Sequence, residues 1–284
     1  MASEKQRVEP GVYENVPFAD YCAMDAVNHS AIKQGIGRSM AHVWQYMNRP
    51  YTPPTDAMKL GTALHAWTLE RARYSELVAV LPKFDARTTI GKQVRDGFYL
   101  ENDGKTIITA DDDLLVRSMS KAISAHPEAR KLAAAKGRVE VVVVWDDAET
   151  GLRLKARCDK VIDSTRPRLC VDIKTTQDAS LDEWERSIFK YGYHTQAALY
   201  EEAWASRGEA ISFVFLVVES DAPHGVSVDR LDEPAMQVGR DLVRQAIRDI
   251  AECKKTGVWP GYPSGVRSVG LPAWVLKRWA EVSQ

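Results

Sequence analysis

Cysteine is scarce: the 284 residues hold four, Cys22, Cys158, Cys170 and Cys253, and none stands in C-x-x-C spacing. That scatter argues against a zinc site, an iron-sulfur cluster or a disulfide framework, and it points to a reducing cytoplasm. Surplus charge is missing too, because 38 Lys and Arg meet 39 Asp and Glu for a net charge of -1. No global basic field marks the chain as a nucleic-acid binder, so any polyanion must find a local patch. Long apolar runs are also absent. The longest, near Phe213 to Val218, is far too short to span a bilayer, and no basic-then-apolar leader precedes it. A soluble, cytoplasmic protein with no membrane partner is expected.

What the chain does have is a core. A hydrophobic content of 45% supports substantial burial, and neither internal repeats nor low-complexity linkers divide it. The expected organisation is a flexible tail over residues 1–10 and one α/β domain over 11–284. Within that domain, 11–135 is mainly helical, 136–232 is the sheet core and 233–284 carries C-terminal helices.

In the N-terminal region, Ser30 is placed to cap one helix, and Met40, Val43, Trp44 and Met47 give a second a core-facing stripe. Prolines between Pro50 and Pro54 break that run. A third helix, Met58 to Glu70, presents Leu60, Leu64, Trp67 and Leu69, with Gly61 and Ala63 small enough for another backbone to come close. His65 lies within it, and a lone histidine there is more often a hydrogen-bonded core residue than a ligand. From Leu81 to Gly104 the chain is polar and loop-rich. Its Arg87, Thr88, Thr89, Lys92 and Arg95 suit phosphate contact and an ordinary solvated face equally well. Asp111, Asp112 and Asp113 read as the acidic first turn of a helix, not as metal ligands.

Val139 to Trp145 is an apolar, β-branched strand with one exception, Glu140, which must be paired, ligate a metal or sit at the strand's mouth. The next hairpin, Leu152 to Thr176, is the most informative stretch. At period two, Arg153, Lys155, Arg157 and Asp159 share one face and Leu152, Leu154, Ala156 and Cys158 the other. Leu169, Val171 and Ile173 likewise oppose Asp172 and Lys174. Antiparallel pairing around a Ser164 to Arg168 turn brings Asp159 near Asp172 and Lys174. Two carboxylates and a lysine suit a hard divalent cation and phosphate hydrolysis, although a D-x-K triplet alone is most often a solvated pair. A helix from Leu181 to about Ser206 follows, with Gln196 and Tyr200 on one face and Tyr193 beside them. Ile211 to Glu219 reads as a buried strand with Val226 to Leu231 as its edge partner, and Glu233 to Thr256 as a long amphipathic helix. The stretch from Trp259 to Trp274 is expected to pack back over the body.

Taken in order, His65, Glu140, Asp159, Asp172-Ile173-Lys174 and the Gln196/Tyr200 pair resemble the PD-(D/E)XK nucleases of the RecB and RecE branch. GTALHAWTLE, the run from Arg157 to Thr176 and YGYHTQAALY look most like the RecE-type 5′ to 3′ exonucleases of phages and prophages. The resemblance spans about Gly11 to Trp274. One departure is Cys158, where the superfamily's name implies a proline that does no chemistry.

This resemblance implies a central mixed β-sheet flanked by helices, a restriction-endonuclease-like core, behind an N-terminal helical region. It assigns His65, Asp159, Asp172 and the Ile173 carbonyl to binding Mg²⁺, or Mn²⁺ as a substitute, with Glu140 a second-metal or water-mediated ligand and two ions per site. Lys174 would orient or activate the attacking water, and Gln196 and Tyr200 would support the scissile phosphate or nearby DNA backbone. Arg157, Thr175, Thr176, Arg87 and Lys92 would contact DNA. The implied activity degrades linear duplex DNA 5′ to 3′ to leave 3′ overhangs for recombination. The implied partners are DNA ends, further copies in a ring of three or four subunits, and a single-strand annealing protein. Two alternatives stand beside it: a nuclease of other polarity or substrate, and a non-catalytic DNA-end-binding module.

Overall fold

The computed structural model describes residues 6–49, 52–85, 87–271 and 273–282. The chain begins with β1 (Gly11–Tyr13), α1 (Phe18–Ala23), β2 (Val27–Asn28), α2 (His29–Gly37), α3 (Met40–Asn48) and α4 (Asp56–Leu69). A single 3₁₀ turn then leads through α5 (Tyr74–Leu77), β3 (Val78–Val80), α6 (Thr89–Glu101), β4 (Thr106–Ile108), α7 (Ala110–Ala125) and α8 (Pro127–Ala134). The sheet core follows as β5 (Arg138–Asp146), β6 (Arg153–Ile162), β7 (Arg168–Thr176), α9 (Leu181–Tyr191), α10 (Tyr193–Ala205), β8 (Ile211–Glu219) and β9 (Val226–Asp229). The last helices are α11 (Glu233–Thr256) and α12 (Ala273–Val282).

The main sheet runs β1-β5-β6-β7-β8-β9, with β2 added alongside β6. Its β7/β8 and β2/β6 pairs are parallel and the others antiparallel, so the sheet is mixed and flanked by helices, as expected. A two-residue side-chain period sends alternate residues to opposite cores. Leu154, Ala156, Cys158, Cys170, Phe213 and Phe215 pack on one face with Trp204, Val243 and Ile247, from α10 and α11. Val171, Ile173, Leu216 and Val218 pack on the other with Leu64, Met119 and Ile123, from α4 and α7. The helix carrying His65 therefore lies directly over the Ile173 side of β7.

Several boundaries differ from the sequence expectation for local reasons. The sheet begins before residue 136: Gly11 to Tyr13 pair with Val144 to Val142, and Val27 and Asn28 pair with Leu154 and Lys155. Residues 1–5 of the expected tail lie outside the described residues, but Gln6 is anchored, donating to Ala23 O and accepting from Asp25 N, both at 2.8 Å. Asn28, not Ser30, caps α2 by accepting from Ala31 N. Pro50 and Tyr51 of the expected break lie outside the described residues, and α4 starts with Thr55 accepting from Met58 N. The stretch from Leu81 to Gly104 is largely helical, because Thr88 caps α6 through Gly91 N at 2.9 Å. Trp44 is 46% exposed and so is not core, and Gly61 faces open space instead of a close backbone. At the start of the C-terminal stretch Trp259 packs against the core, Ala41 N donates to Pro260 O and His42 meets the Tyr262 ring, while residues 261–271 are exposed.

The single helix expected from Leu181 to Ser206 is two helices, divided at Gly192, whose backbone is left-handed (φ 70°, ψ 35°). Glycine adopts that conformation without a Cβ clash, which ends one helix and re-aims the next. Another glycine fixes α10 from behind. A Cβ at Gly239 on α11 would lie 2.4 Å from His194 O and 3.2 Å from Ala198 Cβ. Gly239→Ala is therefore expected to destabilise the fold by about 1–3 kcal/mol through overpacking, read as a lower urea midpoint at unchanged m-value. Among the described residues no helix is long and apolar enough to cross a membrane.

Candidate metal centre

The centre forms where β6 loses its neighbours on both sides at once. On the β7 side, the ladder stops at Lys160↔Val171, and the Asp159 side chain replaces the next backbone bond by accepting from Ile173 N at 3.0 Å. On the β5 side, the pairs step from Val139↔Lys160 to Val141↔Cys158, passing over Glu140 opposite Asp159. Glu140 there has φ 54°, a left-handed conformation that is costly for a residue with a Cβ. That conformation, held by the paired residues Val139 and Val141 on either side, places Glu140 opposite Asp159.

From the overlying α4, His65 enters the same fork. Its Nε2 lies 3.0 Å from the Ile173 carbonyl oxygen and its Nδ1 lies 3.3 Å from Asp159 Oδ2. Nε2–H donates to the carbonyl, so in the neutral ring Nδ1 has a lone pair facing a carboxylate. A proton or a cation belongs between them. His65, Glu140 and Asp159 each offer a ligand atom, and those atoms all lie within 4.8 Å of one another.

Asp172 and Lys174 complete the cluster. Asp172 is buried; its Oδ1 accepts from Gln196 Nε2 at 2.9 Å, and its Oδ2 lies 2.5 Å from Lys174 Nζ. The buried Glu140 Oε2 lies 2.7 Å from Arg157 Nε, so each of these carboxylates is paired with one cation. The carboxylates of Glu140, Asp159 and Asp172, beside the His65 ring and the Ile173 carbonyl, form a hard, oxygen-rich donor set that fits a divalent cation.

The electrostatics follow from burial. Desolvation raises the Glu140 carboxyl to about 7 against the pull of Arg157, with Asp159 adding repulsion. Desolvation likewise raises Asp172 to about 6, opposed by Lys174 and reinforced by Asp159. Burial works to lower Lys174, but the carboxylates of Asp172 and Asp159 outweigh it and hold the ammonium above its ordinary value.

His65, Glu140, Asp159, Asp172, the Ile173 carbonyl, Lys174 and Gln196 thus come together. Gln196 orients Asp172; no phosphate contact is needed to account for it. Tyr200 belongs to the core, 7% exposed and edge-on to Phe213, and makes no hydrogen bond to the cluster among the described residues. It sits one helical turn beyond Gln196 on α10. Arg157 is paired with Glu140 and lies against the rings of Phe18 and Tyr21, at 4.7 and 5.6 Å. Thr176 closes a turn by donating to Asp178 O, while Thr175 is half-buried at the end of β7. Arg87 and Lys92 stand exposed at the start of α6, with no hydrogen bond or ion pair to the cluster among the described residues. Sequence reading missed the Arg157 partnership with Glu140. Its signal was weak but present: a lone acid in an apolar strand whose neighbouring strand carries Arg157.

A family model for a PDDEXK-like domain of unknown function (DUF3799) matches residues 28–268. A crystal structure named "Putative exonuclease", from Eubacterium rectale, superposes with a TM-score of 0.58 at 13% identity, covering 89% of this chain and 92% of that one. At that identity the likeness speaks for the fold alone. The structure of SSO0001 aligns at a TM-score of 0.28 and 11% identity over 77% of this chain and 84% of that one, too distant to bear on the fold. No curated protein matches the chain.

Proposed function

Because the chain belongs to the PDDEXK-like family of unknown function (DUF3799), we propose that it is a divalent-metal-dependent exodeoxyribonuclease, degrading linear duplex DNA 5′ to 3′. The observation that carries this reading is the fork itself. His65 from α4, Glu140 from β5, Asp159 from β6 and the Asp172/Lys174 pair from β7 converge on one point, at the cost of both ladders and of a strained glutamate. A purely structural ion cluster has no need of that expense.

His65, Glu140, Asp159, Asp172 and the Ile173 carbonyl would hold Mg²⁺, or Mn²⁺ in its place, in one or two sites. Bound there, such a cation supplies charge stabilisation for phosphate oxygens and acidifies water. Lys174, kept as an ammonium by its carboxylates, orients the attacking water and offsets negative charge developing on the phosphate. Gln196 keeps Asp172 turned toward the site through its amide. Arg157 neutralises Glu140 and is itself fixed by the Phe18 and Tyr21 rings.

The 5′ to 3′ polarity, the 3′ overhangs for recombination, a cytoplasmic location and an annealing partner extend this reading on the strength of the motif blocks alone. A ring of three or four subunits suits a chain of net charge -1, since each copy need supply only part of a basic channel. Exposed Val258, Val269 and Leu271 in the C-terminal stretch suit contact with another copy. Digestion of linear duplex labelled at one 5′ or one 3′ terminus, beside a circular control, tests polarity. Early release of the 5′ label with the circle intact is expected; early 3′ release or nicking of the circle contradicts it.

The raised carboxyls give a pH prediction. Glu140, near 7, and Asp172, near 6, are partly protonated in the folded protein just below neutrality, so a cation must displace protons there. Mg²⁺ affinity is expected to rise with pH through that window and level off above it. Calorimetry in buffers of different ionisation enthalpy should show proton release on Mg²⁺ binding at mildly acidic pH, less in Glu140→Gln, and none at alkaline pH.

A further inference from the structure

Beyond the fork, Lys174 opens onto a second group of side chains that the hydrolytic site does not use. Its Nζ lies 4.9 Å from the centre of the Tyr193 ring, and the Tyr193 and Tyr191 rings are 5.7 Å apart. Tyr191 is 43% exposed, with Lys190 Nζ 5.2 Å and Lys33 Nζ 5.9 Å from its ring centre. The Gly192 break places these residues together: it sends Tyr191 out to solvent and Tyr193 in toward Lys174. It also leaves room for the Lys33 stem, whose Cδ would lie 3.4 Å from a Cβ at that position.

Lys33 and Lys190 have no carboxylate partner among the described residues, whereas Arg138, Arg244 and Arg248 are each paired with acids. Burial first, and then the charge of Lys174, lowers the Lys33 ammonium, as befits two cations facing the same space. His29 anchors this side of α2 to α10 through Thr195 Oγ1 at 2.9 Å. An exposed ring between uncompensated lysines, in line with the hydrolytic lysine, has the chemistry of a stacking platform with phosphate contacts.

We propose that Lys33, Lys190 and Tyr191 form a single-strand subsite beside Lys174, which holds an unpaired nucleotide next to the scissile phosphate. Tyr191 stacks on the base and the lysines take the flanking phosphates; a base inside a duplex, stacked on both sides, has no free face to offer, whereas every base of a separated strand does. The inference rests on the nuclease reading above and specifies the form of the substrate at the site: a strand already separated from its partner.

The test is fluorescence anisotropy with labelled oligothymidylate and with a blunt duplex, in Ca²⁺ without Mg²⁺, for wild type, Lys33→Ala, Tyr191→Ala and Tyr191→Phe. Tyr191→Ala should bind the single strand about tenfold more weakly, with Tyr191→Phe near wild type. Lys33→Ala should make the salt dependence shallower by about 0.7 in log-log slope. Duplex binding should change little in any variant. Single-strand binding unchanged in both alanine variants, with wild type still cleaving DNA, overturns the subsite and leaves the nuclease reading standing. A wild type that neither binds nor cleaves nucleic acid overturns both.

Discussion

Lys174→Ala is expected to abolish Mg²⁺-dependent degradation of linear duplex DNA, lowering the rate by about 10³-fold or more, while end binding stays within a few-fold of wild type. The lysine is 18% exposed at its side chain, enough to reach a phosphate in the fork, and its charge is held in place by Asp172. Removing it leaves Asp172 without a cation, and breaking a buried pair costs up to about 3–5 kcal/mol. Asp172 can limit that cost by taking a proton, since burial already raises its carboxyl to about 6. Lys174→Arg separates chemistry from folding. It restores the ion pair, but its planar guanidinium differs in reach and geometry, so stability should recover more fully than turnover. Unchanged degradation by pure Lys174→Ala protein would remove Lys174 from the mechanism.

Asp159→Asn should be nearly as damaging by another route. Asp159 is the only side chain of the fork that stands between both interrupted ladders, accepting from Ile173 N while facing His65 Nδ1. The amide can keep the backbone bond through its oxygen, so the fold should persist. Its missing charge should weaken cation binding severely, with cleavage falling by about 10³-fold. Thermal melting reads the loss directly. A cation at 100 times its dissociation constant stabilises the wild type by about 2.7 kcal/mol, and Asp159→Asn should show little of that upward shift with Mg²⁺ or Mn²⁺. A full shift in the variant would place the cation elsewhere.

Much of this was legible in the sequence, and the division is physical. The β6/β7 hairpin and its faces follow from a period of two, which fixes Asp159, Asp172 and Lys174 relative to one another once a single turn is placed. His65 was not legible in that way, because its helix lies far upstream of the hairpin and only the resemblance of the joint motifs ties the two together. Glu140 announced itself as an acid in an apolar strand, but its left-handed backbone and its Arg157 partner depend on neighbouring strands. Tyr200 lies deeper than Gln196, which was not legible because helical spacing tells which residues share a face and not how far the core extends over it. The subsite around Tyr191 was hidden for a similar reason: Lys33 reaches it only because Gly192 splits a helix that periodicity alone reads as continuous.

Release of acid-soluble nucleotides from linear duplex DNA by the purified protein tests the central claim most directly, with Mg²⁺ supplied and then withdrawn by EDTA. Release with Mg²⁺, its loss on chelation and its return when Mg²⁺ is restored are the predicted results. No release with Mg²⁺ or Mn²⁺ from a folded protein, or release that continues in EDTA, would contradict a metal-dependent nuclease centre at the β6/β7 fork.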